Sequence, residues 1–193
     1  GVVLVTAACL SSSSELGDNP SGCPGLPYPD PSVSPYVLPY TPGDAWPTGL
    51  TNCSSSFHAE GQPDQYAFDF DMPLGTPFVA ARAGTVYAVV ESEPSAGGGS
   101  GNFVTIDHGD GTFALYLHSP EDGIAVEVGA AVEQGDVLGE TGRSGLAGYP
   151  HLHFIVVEGD PAWPYTGVPV AFSNASPAHG ILRGLTTYRA LPW

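Results

Sequence analysis

The chain has 193 residues, 42% of them hydrophobic and only 12% charged, with 26 glycines and 20 prolines. That is enough apolar material for one ordinary domain plus a flank, and the turn-rich composition favours an all-β architecture over a helical one. A formal net charge of −16, set against four arginines and no lysine, excludes nucleic acid and anionic lipid headgroups as partners.

The chain opens on GVVLVTAAC, an apolar run ending in small residues before Cys9. It reads as the end of a secretory signal and is similar to a lipoprotein cleavage site, with Thr6 where Leu is usual. Residues 1–8 are therefore expected to be a partial signal segment and Cys9 a lipid anchor, with ordinary secretion as the alternative. The run is far short of the roughly 20 residues a membrane-spanning helix needs. Residues 9–35, rich in Ser, Pro and Gly, read as a tether. With Cys9 lipidated, Cys23 and Cys53 remain, and an exported protein can oxidise them to a disulfide; two free thiols are the alternative.

Residues 36–193 are expected to form the domain, with a core at about 57–160 and a C-terminal extension over 161–193. YVLPY and AWPTGL suggest aromatic packing onto it. QYAFDFDM alternates, so Tyr66, Phe68 and Phe70 face one way and Ala67, Asp69 and Asp71 the other. PLGTPFVAA predicts a turn and a short strand, GTVYAVVES a strand, and ESEPSAGGGSG a flexible loop. NFVTIDH and TFALYLH predict a hairpin with Asp-Gly at its tip. AVEVGAAVEQGDVLGET predicts short strands with glycine turns, GRSGLAGYP a loop, and HLHFIVVEG the last core strand. Strands every 8–12 residues with glycine turns imply a sandwich or barrel-like domain.

Alternation places His151 and His153 on one face of the last core strand, and Leu152 and Phe154 on the other. His118 closes its strand on the predicted face of Tyr116 and Ala114, and His58 lies in a loop before the first strand. A catalytic zinc takes three ligands from His, Asp or Glu and keeps an open position. The helical signature His-Glu-x-x-His is absent, so such a site would be built on strands. Asp71 is the rival of Asp69 as a ligand. His108 reads as turn support and His179 as a surface residue. Tyr116 could donate into the site, and Arg143 and Ser144 could touch substrate.

Three blocks, QYAFDFDMPLGTPFVAARAGTV, GNFVTIDHGDGTFALYLHS and VGAAVEQGDVLGETGRSGLAGYPHLHF, resemble the lysostaphin and LytM type zinc metallopeptidases, the β-lytic metallopeptidases. The likeness runs from about residue 37 to the C-terminus. It implies an all-β fold of antiparallel sheets and one zinc ion. It matches Asp69 and His153 to metal ligands, His151 to the histidine that activates water, and His118 to the other non-ligand histidine. Many members carry the first metal histidine four residues before the aspartate, where this chain has Gln65. SSSFHAEGQPDQYAFDF is similar to a subset with that histidine further upstream, which makes His58, eleven positions before Asp69, the third ligand.

The resemblance implies an exported, monomeric zinc endopeptidase, periplasmic or at the cell surface, that cleaves peptidoglycan cross-links. The alternatives are a non-catalytic regulator of cell-wall hydrolases on the same fold, and a peptidase acting on proteins.

Overall fold

The computed structural model describes residues 22, 23, 25–97, 99–178 and 180–193. The signal segment, Cys9 and His179 lie outside the described residues. Among the described residues, twelve short strands follow one another in chain order. They are β1 (Ala45–Pro47), β2 (Phe68–Phe70), β3 (Pro77–Val79), β4 (Gly84–Val90), β5 (Asn102–Asp107) and β6 (Thr112–Ser119). After these come β7 (Ala131–Val132), β8 (Val137–Glu140), β9 (Leu152–Glu158), β10 (Thr166–Gly167), β11 (Ala175–Ser176) and β12 (Thr187–Ala190). The only helical turns among the described residues are 3-10 turns at Pro31–Val33 and Ser56–His58. None is long and apolar enough to cross a membrane.

The main sheet runs β10-β9-β6-β5-β4-β7, and β2 also pairs with β9. All its pairings are antiparallel, as the resemblance implied. The β5–β6 hairpin turns where Asp-Gly predicted it. Asp107 Oδ1 accepts from the Gly109 N–H at 2.8 Å, and Asp110 Oδ1 accepts from the Thr112 N–H at 3.1 Å.

Strand β9 is buried on both faces, which explains its unbroken run of apolar residues. Leu152, Phe154 and Val156 enter the main core with Phe68 and Phe70 of β2 and Ala114 and Tyr116 of β6. Ile155 and Val157 join Ala67, Leu115 and Tyr165 in a smaller cluster on the opposite face. Burying each such side chain stabilises by about 1.5–3 kcal/mol. The register is therefore strongly fixed, because a one-residue slip would exchange the two faces.

The ends of the chain complete the core. Tyr36, Leu38, Tyr40, Val170, Phe172, Leu182 and Tyr188 all belong to the main cluster. Asn174 joins the ends: its Oδ1 accepts from the Leu38 N–H at 2.8 Å, and its Nδ2 donates to the Leu191 carbonyl at 2.9 Å. Strands β1, β12 and β11 form a separate three-stranded sheet from these segments. Cys23 and Cys53 are bonded, closing a sequence separation of 30.

The loop after β4, expected to be flexible, is tied down. Ala96 bridges to Arg143, and Asn102 brackets Glu93, accepting from its N–H and donating to its carbonyl, each at 2.9 Å. Gly101 and Gly145 let this loop meet the 141–150 loop: a Cβ on Gly145 would stand 2.8 Å from Gly101 Cα.

Candidate metal centre

Pairing between β2 and β9 makes Asp69 and His153 cross-strand partners, and β6 sets Leu117 on the other side of His153. Asp69 Oδ1 lies 3.0 Å from His153 Nδ1, 3.3 Å from His58 Nε2 and 3.6 Å from His151 Nε2. Asp69, His58 and His153 are all buried. Three imidazole nitrogens thus gather around one carboxylate oxygen.

His58 reaches this point from the 3-10 turn Ser56–His58. The turn is carried by a loop closed at its base, where the Cys53 N–H donates to the Gln65 carbonyl at 2.8 Å. Gln65, which stands where many similar peptidases have a metal histidine, braces this loop instead: its Oε1 accepts from the Gly61 N–H at 2.8 Å. Gln65 therefore holds the loop that brings His58 to Asp69.

His118 departs from the strand pattern. Alternation put it on the face of Tyr116, which the structure turns into the core, but its ring lies 4.7 Å from His151 and 5.7 Å from His153, on the site side. The cause is a bulge. The register slips between Asn102 and Phe103, opposite Leu117 to Ser119, and His118 adopts φ +77°. An extra residue in one strand re-aims its side chain, and positive φ at a non-glycine costs energy that the surroundings must offset. Here the His118 Nδ1–H donates to the Ser144 carbonyl at 2.9 Å. The Ser144 Oγ donates to the Ser119 carbonyl at 2.6 Å and accepts from the Asn102 N–H at 2.8 Å. Ser144 is fully buried, so it cannot touch substrate; it holds the bulge. Arg143 is exposed.

His151 is oriented the same way, its Nδ1–H donating to the Tyr149 carbonyl at 2.9 Å. In both rings the proton sits on Nδ1, which leaves the Nε2 lone pair facing the centre. Burial pushes the His118 pKa down to about 3, helped by the neighbouring His153 and His151. Burial also lowers that of His151, against the opposing charge of Asp69. Both are neutral at neutral pH.

His153 behaves oppositely. Burial disfavours its charge, but hydrogen bonding to Asp64 and Asp69 prevails and pushes its pKa up to about 10. Burial likewise disfavours the Asp69 carboxylate, and His153 and His58 reverse this, holding it well below the ordinary range. Asp69 Oδ1, His153 Nδ1 and His58 Nε2 thus converge on a point that attracts positive charge. Donor atoms of His58, Asp69 and His153 lie within 4.8 Å of one another, as do those of His118, His151 and His153. Two imidazoles and one carboxylate form a donor set of the kind a catalytic zinc takes. The residues present fit that metal.

The other sequence candidates fall elsewhere. Asp71 belongs to neither donor group; burial raises its pKa, and Tyr149 bonds to it. Tyr116 is in the core, where its hydroxyl accepts from the Ala81 N–H at 2.8 Å. His108 supports the hairpin through the Ala83 carbonyl at 2.9 Å, at the opposite end of β6 from His118. Sequence reasoning passed over Asp64 and Tyr149, which contact His153 and His151, and Tyr165, which bonds to Asp64. GQPD signalled only a turn, and nothing in the spacing marks the two tyrosines.

A strand-built cluster of histidines around one aspartate, on antiparallel sheets, defines the class as a metallopeptidase-type β domain. Residues 64–164 match peptidase family M23, and the chain belongs to that family. The matched segment holds Asp69, His118, His151 and His153 and begins after His58. The chain is 37% identical over 94 residues to peptidoglycan DD-endopeptidase ShyA of Vibrio cholerae, covering 48% of this chain and 20% of that protein. It is also 37% identical over 90 residues to lysostaphin of Staphylococcus simulans, covering 46% of this chain and 17% of that one. The chain thus spans about a fifth of the curated relatives it matches. Among solved structures, a mutant catalytic domain of the prophage-encoded M23 protein EnpA from Enterococcus faecalis is similar. Its TM-score is 0.54 at 25% identity, over 69% of this chain and 94% of that one.

Proposed function

We propose that the protein is a zinc metalloendopeptidase that hydrolyses peptide cross-links of bacterial peptidoglycan outside the cytoplasm. The observation that carries this reading is the ring of three imidazole nitrogens around Asp69 Oδ1. His58, Asp69 and His153 would hold one zinc ion, which when bound supplies Lewis acidity and brings the pKa of a water down toward 7.

The chain's own residues supply the rest. His151, neutral and with its Nε2 free, takes the proton of the attacking water. Once protonated, its Nε2–H becomes a donor and can return the proton to the leaving amine. His118, its Nδ1–H fixed on the Ser144 carbonyl, presents its Nε2 lone pair as an acceptor that orients the attacking water for His151. Phe57, Leu146 and Tyr149 are exposed on the loops that carry His58 and His151, and they offer apolar walls to an extended peptide. Relatives named as a peptidoglycan DD-endopeptidase, lysostaphin and a glycyl-glycine endopeptidase support a cell-wall substrate. The acidic surface suits a monomeric enzyme held near its substrate by a lipid on Cys9 rather than by charge. The Cys23–Cys53 bond accords with an oxidising compartment.

The test incubates the protein with purified sacculi and weighs the released muropeptides, with and without a chelator. Loss of cross-linked species that stops with chelator and returns with zinc is expected. Intact cross-links at every metal condition would replace the reading with a binding or regulatory role.

A further inference from the structure

His153 presents its second nitrogen to a second carboxylate. Nε2 lies 3.4 Å from Asp64 Oδ1, slightly long for a well-formed hydrogen bond, and this buried nitrogen has no other partner. Asp64 is itself held in place: the Tyr165 hydroxyl donates to the same Oδ1 at 2.5 Å. Both residues are about nine-tenths buried, and Tyr165 is packed in the small cluster with Ala67, Leu115, Ile155 and Val157. Tyr165, Asp64, His153 and Asp69 therefore form one continuous line. Asp64 belongs to neither donor group.

An imidazole can give a metal only the nitrogen that carries no proton. The proton on the other nitrogen needs an acceptor, and in a dry site a missing acceptor costs about 1–3 kcal/mol. A carboxylate there fixes the tautomer and ring orientation and raises the basicity of the ligating nitrogen. We propose that Asp64 is a positioning residue of the metal centre: it accepts the Nε2–H of His153, commits Nδ1 to the metal, and is aimed by Tyr165. This rests on the reading of His153 as a metal ligand.

The test measures zinc affinity of the full chain by competition with a chromophoric chelator, for the wild type and Asp64→Ala. It also records nitrogen-15 spectra of the histidine rings in the zinc-loaded wild type. Asp64→Ala is expected to bind zinc about 10–100-fold more weakly, with the far-ultraviolet circular dichroism of the metal-free form unchanged. His153 is expected to show a protonated Nε2 that exchanges slowly with solvent. This signature needs no variant, so it decides the matter even if Asp64→Ala fails to fold. Affinity within twofold of wild type in a folded Asp64→Ala, or a His153 protonated at Nδ1, overturns the proposal while leaving the metallopeptidase reading intact. A wild type that takes up no zinc overturns both.

Discussion

Replacing Cys23 and Cys53 together by serine tests how the loop bearing His58 is held. The bond closes a separation of 30 residues. On the chain-entropy relation this removes about 12 cal/mol/K from the unfolded state, or about 3.6 kcal/mol at 25 °C. For a domain of this size each kcal/mol moves the melting midpoint by about 2–4 °C, so a fall of about 7–14 °C is expected. Little else compensates, because the two cysteines share only a small cluster with Tyr66, apart from the main core. His58 lies five residues beyond Cys53, so zinc affinity should drop several-fold in the same variant. Thermal unfolding of the metal-free proteins, followed by zinc titration of each, measures both effects. A double variant melting within about 2 °C of wild type, with unchanged zinc affinity, would refute the reasoning.

His58→Ala should keep the fold and weaken zinc binding by more than about 100-fold, beyond the range seen when only an outer partner is lost; metal content after dialysis reads this directly. Gly142→Ala would place a Cβ 2.4 Å from the Pro120 nitrogen and 2.5 Å from the His118 carbonyl oxygen, both backbone atoms. Forcing it in should cost about 1–3 kcal/mol, and sacculus cleavage should fall at least tenfold while zinc content stays at wild-type level. The metal-free protein should also lose stability as pH falls below about 6.5. Burial lowers the His108 pKa in the fold despite its bond to the Ala83 carbonyl, so the unfolded chain takes up the proton first. Arg82, Asp107 and Asp110 face the same ring. His108→Asn should flatten the acid limb of the stability curve by at most about 1.4 kcal/mol per pH unit, and denaturant titrations at several pH values check this.

Strand periodicity made much of this legible. Leu152 and Phe154 turn to the core while His151 and His153 turn to the site, as a period of two requires. Asp69 was separable from Asp71 by resemblance but not by alternation, which gives both the same face; only the pairing with His153 distinguishes them. Tyr116 was read as sharing the face of His118 because a bulge is invisible to period counting: nothing in FALYLH announces φ +77°. Ser144 and Asp64 were hidden for another reason. Each acts through a partner distant in sequence, 42 residues away for Ser144 with Asn102 and 101 for Asp64 with Tyr165. A still greater distance separates β1 from β12, whose pairing of Ala45 with Arg189 no local pattern records.

The donor set is held with unequal firmness. Asp69 and His153 are neighbours across a hydrogen-bonded strand pair of the main sheet, and they part only if that pairing comes apart. His58 rides on a loop outside the strands, closed at its base by the Cys53–Gln65 backbone hydrogen bond, braced by Gln65 and tied through Cys53 to Cys23. In the proposed centre, Asp69 and His153 would therefore keep their places when the loop shifts, and His58 would be the donor lost first. The rigidity of residues 53–65 would then count beside donor strength in setting how long an ion stays. Two enzymes with identical donors but different loops at this position would hold a metal for different times.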